Sequence, residues 1–332
     1  MLLQNNMGGG MKRIGFWGLL LGLGLALSAD ADSALVDFER KWIFPQELGG
    51  LKYEISEKYE EDDFGYRISY RNGESFGVVV TIYDLGYDSI PNGHKGEEID
   101  VILQNVDDEL KLRLKHGEIE NLKKLRTGVT PKGDALQFAT VVSCYDDAES
   151  ASGEKLQATY VTGIRNQFLQ VKFTFDRAKK GQAGEMATEM ISRLSKMVTA
   201  RPGEEELLLP SCSAFLNDPA SYGGLTSAQY LMAKAQTMGN LNVYTHLFVW
   251  PTGYYSKPKN AELLIAAYFA GMLQVVVPQK LDEGGEFEAF SAMLDVYGTL
   301  RAKEQIGDIP KIGEWAKHPD RRALYEQLLI VE

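Results

Sequence analysis

Tyr66, Ile68 and Tyr70 alternate with Arg67, Ser69 and Arg71; the chain meets Asn72-Gly73, and Val78, Val80 and Ile82 resume the alternation. Successive side chains of a strand point to opposite faces, so a period of two on both sides of an Asn-Gly pair specifies an antiparallel hairpin with one buried face. A buried face needs a cover, and the sequence supplies two helices. Ile99, Ile102, Leu103, Val106 and Leu110 fall on one stripe, as do Met186, Met190, Ile191, Leu194 and Met197. Between them, strands are expected around 118–127, 135–145, 155–163 and 168–176. In the last, Leu169, Val171, Phe173 and Phe175 alternate with Gln170, Lys172 and Thr174.

The expected order is three strands, a helix, four strands and a helix. Hairpins with helices packed on a face make an α+β class, here an antiparallel sheet sandwich spanning about 35–200. Gly65-Tyr66-x-Ile68, Val78-Val79-Val80-Thr81-Ile82, the hairpin from Gln157 to Phe175 and the closing helix together resemble the Mog1/PsbP/DcrB-like fold over residues about 50–198. The resemblance rests on element order, not on a diagnostic motif. It implies a mostly non-enzymatic, exported or membrane-associated domain, and it transfers no functional residue.

Arg201-Pro202-Gly203-Glu204-Glu205-Glu206 reads as a linker, since Pro and Gly interrupt regular structure and three carboxylates favour solvent. Residues 207–332 read as a mainly α-helical domain. Thr226-x-x-Gln229 matches a capping box, with Gly239 as a stop, and Ser256 before Pro258 marks another start. Leu263 to Val277 carries no charge and is apolar on every side, the pattern of a buried central helix or a membrane span. Ending at Pro278, it falls short of the roughly 20 residues a span requires, so a buried helix is expected. Ala266, Ala267, Ala270 and Gly271 would let neighbours approach its backbone. Phe287, Phe290, Met293, Leu294, Tyr297 and Leu300 mark an amphipathic helix, and short helices are expected around 308–318 and 320–330.

The N-terminus has the three parts of a secretory leader. Lys12 and Arg13 precede an uncharged run from Ile14 to Leu27, and Ala29-Asp30-Ala31 supplies a small-x-small cleavage site. The run is too short for a comfortable span. Residues 1–31 are therefore expected to be a signal peptide, with the mature chain starting near Asp32 in the periplasm or outside the cell. No cysteine near the cleavage site would carry a lipid. Met1 and Met11 both stand as candidate starts.

The full chain has a net charge of −11. Loss of the leader removes two cations and one carboxylate, which makes it more acidic still. A surface of that sign repels nucleic acid and anionic lipid, so neither is an expected partner. The two cysteines, Cys144 and Cys212, leave two readings open: a disulfide, worth about 4 kcal/mol on chain-entropy grounds, or two buried thiols.

Candidate chemistry is sparse. Gly73-Glu74-Ser75-Phe76-Gly77 matches G-x-S-x-G, but a nucleophile elbow needs a helix after the serine and a strand follows here, so a hairpin loop is expected. His94, His116, His246 and His318 share no metal-binding spacing with each other. His116 is expected at a helix end, where the dipole favours a cation. Asp146 to Glu154 is acidic but fits no register of a calcium loop and reads as a solvated hairpin turn. No phosphate-binding glycine motif occurs, so neither metal nor cofactor is expected. The aromatic segment Tyr244 to Tyr255 is the one candidate surface: Trp250, Tyr254 and Tyr255 suit a protein or ligand contact, against the reading that they seal the two halves together.

These features lead to an exported, non-catalytic envelope protein that binds a protein partner or a small ligand. Two other readings remain: an enzyme, for instance a hydrolase, whose site assembles from dispersed residues, and an inhibitor or immunity protein against an exported toxin.

Overall fold

The computed structural model describes residues 32–130, 136–148, 153–238, 259–281 and 283–330. Its fold is α+β: an antiparallel sheet with packed helices, followed by a helical region.

The described residues begin with a hairpin that stands apart from the main sheet. Strand β1 (Ser33–Asp37) pairs with β2 (Trp42–Pro45), Val36 opposite Ile43 and Asp37 opposite Trp42. All five residues of β1 are buried. The main sheet follows, from β3 (Glu47–Leu48), β4 (Leu51–Lys58), β5 (Tyr66–Asn72), β6 (Phe76–Tyr83), β7 (Ile119–Thr130), β8 (Phe138–Asp147), β9 (Glu154–Ile164) and β10 (Gln167–Asp176). Among the described residues their order is β3-β4-β5-β6-β10-β9-β8-β7, antiparallel throughout. The hairpin expected at Asn72-Gly73 is β5–β6, closed by Asn72 opposite Phe76.

Each face of the sheet has its cover. Helix α1 (Glu97–Lys115) sets Ile99 and Ile102 against Ala139, Val161 and Phe168, and Leu110 against Ile119 and Tyr145. Its first turn carries Glu97, Glu98 and Asp100 and its last turn Arg113 and Lys115, the polarity that complements the helix dipole. Helix α2 (Lys180–Thr199) places Met190, Ile191, Leu194 and Val198 on the opposite face, over Leu169, Val171 and Phe173. Trp42 and Phe44 of the N-terminal hairpin share this core, and the Trp42 indole Nε1 donates to Val198 O at 3.0 Å.

After an irregular stretch and a single 3-10 turn at Glu205–Leu207, the chain becomes helical. The described helices are α3 (Leu208–Asn217), α4 (Tyr222–Ala235), α5 (Glu262–Gln279), α6 (Glu286–Ala302), α7 (Pro310–Ala316) and α8 (Arg321–Ile330). Helix α5 is the uncharged segment. Among the described residues it alone is long and apolar enough to cross a membrane, and here it forms the centre of a second core with Phe215, Phe290, Met293 and Leu300. Gly271 is where α6 comes closest: a methyl group there would lie 2.7 Å from Ala292 Cβ and 2.8 Å from Glu288 O.

One reading changes, one open question closes and one element is new. Thr226 does not cap α4. The helix begins at Tyr222, with Ser221 Oγ accepting from Gly224 N at 3.0 Å, and the Thr226 hydroxyl donates to carbonyls one turn back. The earlier start is possible because Gly223 lets the helix touch β1, where a methyl group would stand 2.6 Å from Ala34 O. Cys144 and Cys212 form no disulfide; both are free and buried, Cys144 in the sheet core and Cys212 in the helical core, and each is enclosed by its own cluster. The N-terminal hairpin, absent from the sequence reading, joins the two regions. Strand β1 packs on α3 and α4 as well as on β4, and Ser33 Oγ donates to Pro210 O.

Candidate functional site

The candidate residues from the sequence do not assemble. Ser75 lies in the β5–β6 turn, with a strand on either side, and its carbonyl accepts from Asp176 N. His94 sits in the loop before α1, His116 is the C-terminal cap of α1, and His318 bonds locally with the backbone of Asp320. His246, Trp250, Tyr254, Tyr255, Gly239 and Ser256-Pro258 lie outside the described residues. Asp146 and Glu154 pair across the β8–β9 hairpin, and Glu154 accepts from the Cys144 thiol at 2.6 Å and from Arg177. Burial and that carboxylate push the Cys144 thiol up to about 11. Among the described residues, no group of three or more His, Cys, Asp or Glu side chains could hold a metal ion.

The structure instead brings together residues that had no motif to mark them. A cleft of about 1120 Å³ opens where the β1–β2 turn, the β9–β10 turn, the segment after α2 and the start of α4 converge. Drug-sized ligands occupy cavities of this order.

At its floor is a buried polar cluster. Asp37 ends β1 and is 8 % exposed. Its Oδ2 accepts from Tyr66 Oη at 2.7 Å and from Arg40 Nη1 at 3.1 Å, and its Oδ1 accepts from Arg40 N at 2.9 Å. Such a carboxylate is tolerable in a core because every bond it accepts offsets the cost of its desolvation. Burial, followed by the neighbouring Asp37 charge, raises the Tyr66 phenol well above its ordinary value. Burial works to lower the Arg40 guanidinium, but the Asp37 and Glu39 carboxylates outweigh it and hold the group above its usual pKa. Arg40 Nε is buried and has no hydrogen-bond partner. The Tyr222 ring, from α4, sits 5.5 Å from that of Tyr66 and brings the helical region onto the same floor.

Arg165 forms one wall. It is the first residue of the two-residue turn between Ile164 and Gln167, and both Arg165 (φ 51°) and Asn166 (φ 60°) are left-handed. A two-residue hairpin of this twist requires that geometry, which favours Asn and Gly. At arginine it costs about 1 kcal/mol or more. The guanidinium donates from Nη1 to Arg40 O and from Nη2 to Ala200 O at 2.7 Å, and it lies 5.8 Å from the centre of the Trp42 ring. Arg165 thereby ties the first hairpin to the C-terminal end of α2. Burial and the nearby Arg201 charge lower its pKa.

Some of the other charges on the lining are paired within it. Lys58 pairs with Asp62 at 2.6 Å, and Asp84 accepts from Gln167 Nε2 at 3.1 Å. Phe38 stacks on Tyr230 of α4 at 4.4 Å, which fixes the β1–β2 turn against the helices. The lining contains no histidine, cysteine or serine, and the Thr226 hydroxyl is spent on its own helix. The arrangement can hold and orient a molecule.

Sequence reasoning missed the cleft because its residues come from segments more than a hundred positions apart. One signal was available: an Arg-Asn pair stands between two alternating strands where an Asn-Gly pair would cost less.

No protein-family model matches the chain, and no curated protein matches it. A solved structure similar to part of it is that of cyanobacterial PsbP (CyanoP) from Synechocystis sp. PCC 6803, at 11 % sequence identity and a TM-score of 0.31, over 51 % of this chain and 97 % of that one. The likeness is one of coarse fold over half of the chain, and it transfers no residue role.

Proposed function

We propose that this chain is an exported, non-catalytic envelope protein that binds a small ligand in the cleft between its sheet and its helical region. The cleft carries the reading. It has the volume of a ligand site, and its floor is a pre-organised buried network, since Asp37 is held by both Tyr66 and Arg40. The lining offers hydrogen-bonding and aromatic groups that can hold and orient a ligand.

The test is a thermal-shift screen of the exported protein against small metabolites, both charged and neutral, followed by mass spectrometry of the recovered ligand. At least one compound should raise the melting temperature, come back chemically unchanged, and lose its effect in Thr226→Trp, which fills the cleft from α4. A shift that survives Thr226→Trp would move the site elsewhere. Recovery of a converted compound would make the protein an enzyme. Sequencing the N-terminus of the exported protein should give Asp32 or a close neighbour.

A further inference from the structure

We infer that the cleft recognises an anionic group, a carboxylate or a phosphate, through Arg165 and Arg201. The inference rests on the cleft being a ligand site and adds the chemistry of the ligand.

Cations and carboxylates are distributed unevenly on the lining. Arg40 is matched by Asp37, and Lys58 by Asp62. Arg165 and Arg201 form no salt bridge among the described residues, although the Asp37 carboxylate acts on Arg165 through space and Asp84 shares the lining. The two guanidinium groups arrive from different directions, Arg165 from the β9–β10 turn and Arg201 from just after α2. The β9–β10 turn and the segment after α2 are tied to each other because Arg165 Nη2 donates to the carbonyl of Ala200, the residue before Arg201. The Arg201 charge acts on Arg165, and the planar donor fork of arginine matches carboxylate and phosphate oxygens.

Arg165 is also preset. Its backbone is left-handed, its Nη atoms are anchored on two main-chain carbonyls, and its plane lies near the Trp42 ring. Pre-organisation of this kind reduces the ordering cost of binding. Two cations without a salt bridge and a fixed donor thus line one cavity.

The experiment is isothermal titration of the exported protein with inorganic phosphate and, separately, with succinate, at ionic strength held constant with sodium chloride. Binding of either probe above the chloride baseline is expected. Phosphate alone would identify a phosphoryl-bearing ligand, and succinate alone a carboxylate-bearing one. Arg201 makes no hydrogen bond among the described residues, so Arg201→Gln should fold normally and bind about tenfold more weakly, the loss of one charge-assisted bond. Arg165→Lys keeps the charge but loses the fork, and should also weaken binding. The assignment falls if neither probe binds above chloride, or if both variants bind as the wild type does. A neutral metabolite that depends on an open Thr226 cleft yet is indifferent to both arginine variants would leave the cleft a ligand site and overturn its anion chemistry alone.

Discussion

Tyr66 Oη donates to Asp37 Oδ2 at 2.7 Å, across the seam between the N-terminal hairpin and the main sheet. Both partners are buried, so the bond is made where water cannot replace it. Tyr66→Phe keeps the ring packed against Phe44 and Tyr222 but withdraws a donor from a buried carboxylate. Urea unfolding should show a loss of about 1–3 kcal/mol. A midpoint equal to the wild type would mean that Arg40 alone satisfies Asp37.

The alkaline limb of the stability curve should be steep. Burial raises the phenols of Tyr66, Tyr70 and Tyr83 and the thiol of Cys212, and it lifts Cys144 to about 11. In the unfolded chain these groups ionise at their ordinary values, about 9 for the thiols and 10 for the phenols, and there the unfolded state releases protons that the folded state still holds. Their contribution is therefore complete below pH 9 and is lost as pH rises from about 9 through the folded values. Thermal melts between pH 8 and pH 11 should fall monotonically, with the phenolate absorbance of these three tyrosines appearing only at unfolding. Loss of that late absorbance step in Tyr→Phe variants at these positions is expected, and ionisation of the three rings in the folded protein would contradict their burial.

Cys144 and Cys212 should behave as two protected thiols. In native buffer at neutral pH, neither should react appreciably with a thiol-specific disulfide reagent, because both are buried and neutral. In denaturant both should react, giving two thiols per chain without prior reduction. Melting temperatures with and without reductant should coincide. A reductant-dependent loss of stability would favour the disulfide reading instead.

Gly271 sets the α5–α6 contact, so Gly271→Ala should force the helices apart against Ala292 and the Glu288 carbonyl. The cost of overpacking there is about 1–3 kcal/mol, even though alanine is the better helix former. A stabilised Gly271→Ala variant in chemical denaturation would show that the crossing has room to spare.

Arg165→Gly offers a test of opposed terms. Glycine removes the left-handed strain, a gain of about 1 kcal/mol. It also deletes the donors to Arg40 O and Ala200 O, at about 1.5–3 kcal/mol each. A net loss of stability is expected, visible as a lower melting temperature. A gain would show that solvent replaces both bonds without penalty.

Periodicity alone determined the parts of this protein with one buried face. The alternation of Tyr66 to Ile82 and of Leu169 to Phe175 fixes strand faces, because a one-residue slip would turn every apolar side chain outward. The stripes of α1, α2 and α6 are equally local, and the uncharged length of α5 marks it as a core helix. Strand β1 escaped this logic. Buried on every side between sheet and helices, Ser33 to Asp37 shows no alternation, and its Asp37 looks like a surface residue until Tyr66 and Arg40 arrive. Ser221 displaced Thr226 as the cap of α4 because Gly223 packs on β1, a contact between residues far apart in the chain. The pairing of β6 with β10, the separation of Cys144 from Cys212 into two cores, and the meeting of residues near 37, 66, 165, 201 and 222 in one cleft are likewise tertiary facts. Local propensity acts over a few residues, whereas a binding cavity is made where distant segments close on each other, and the free energy that selects that closure belongs to the packed whole.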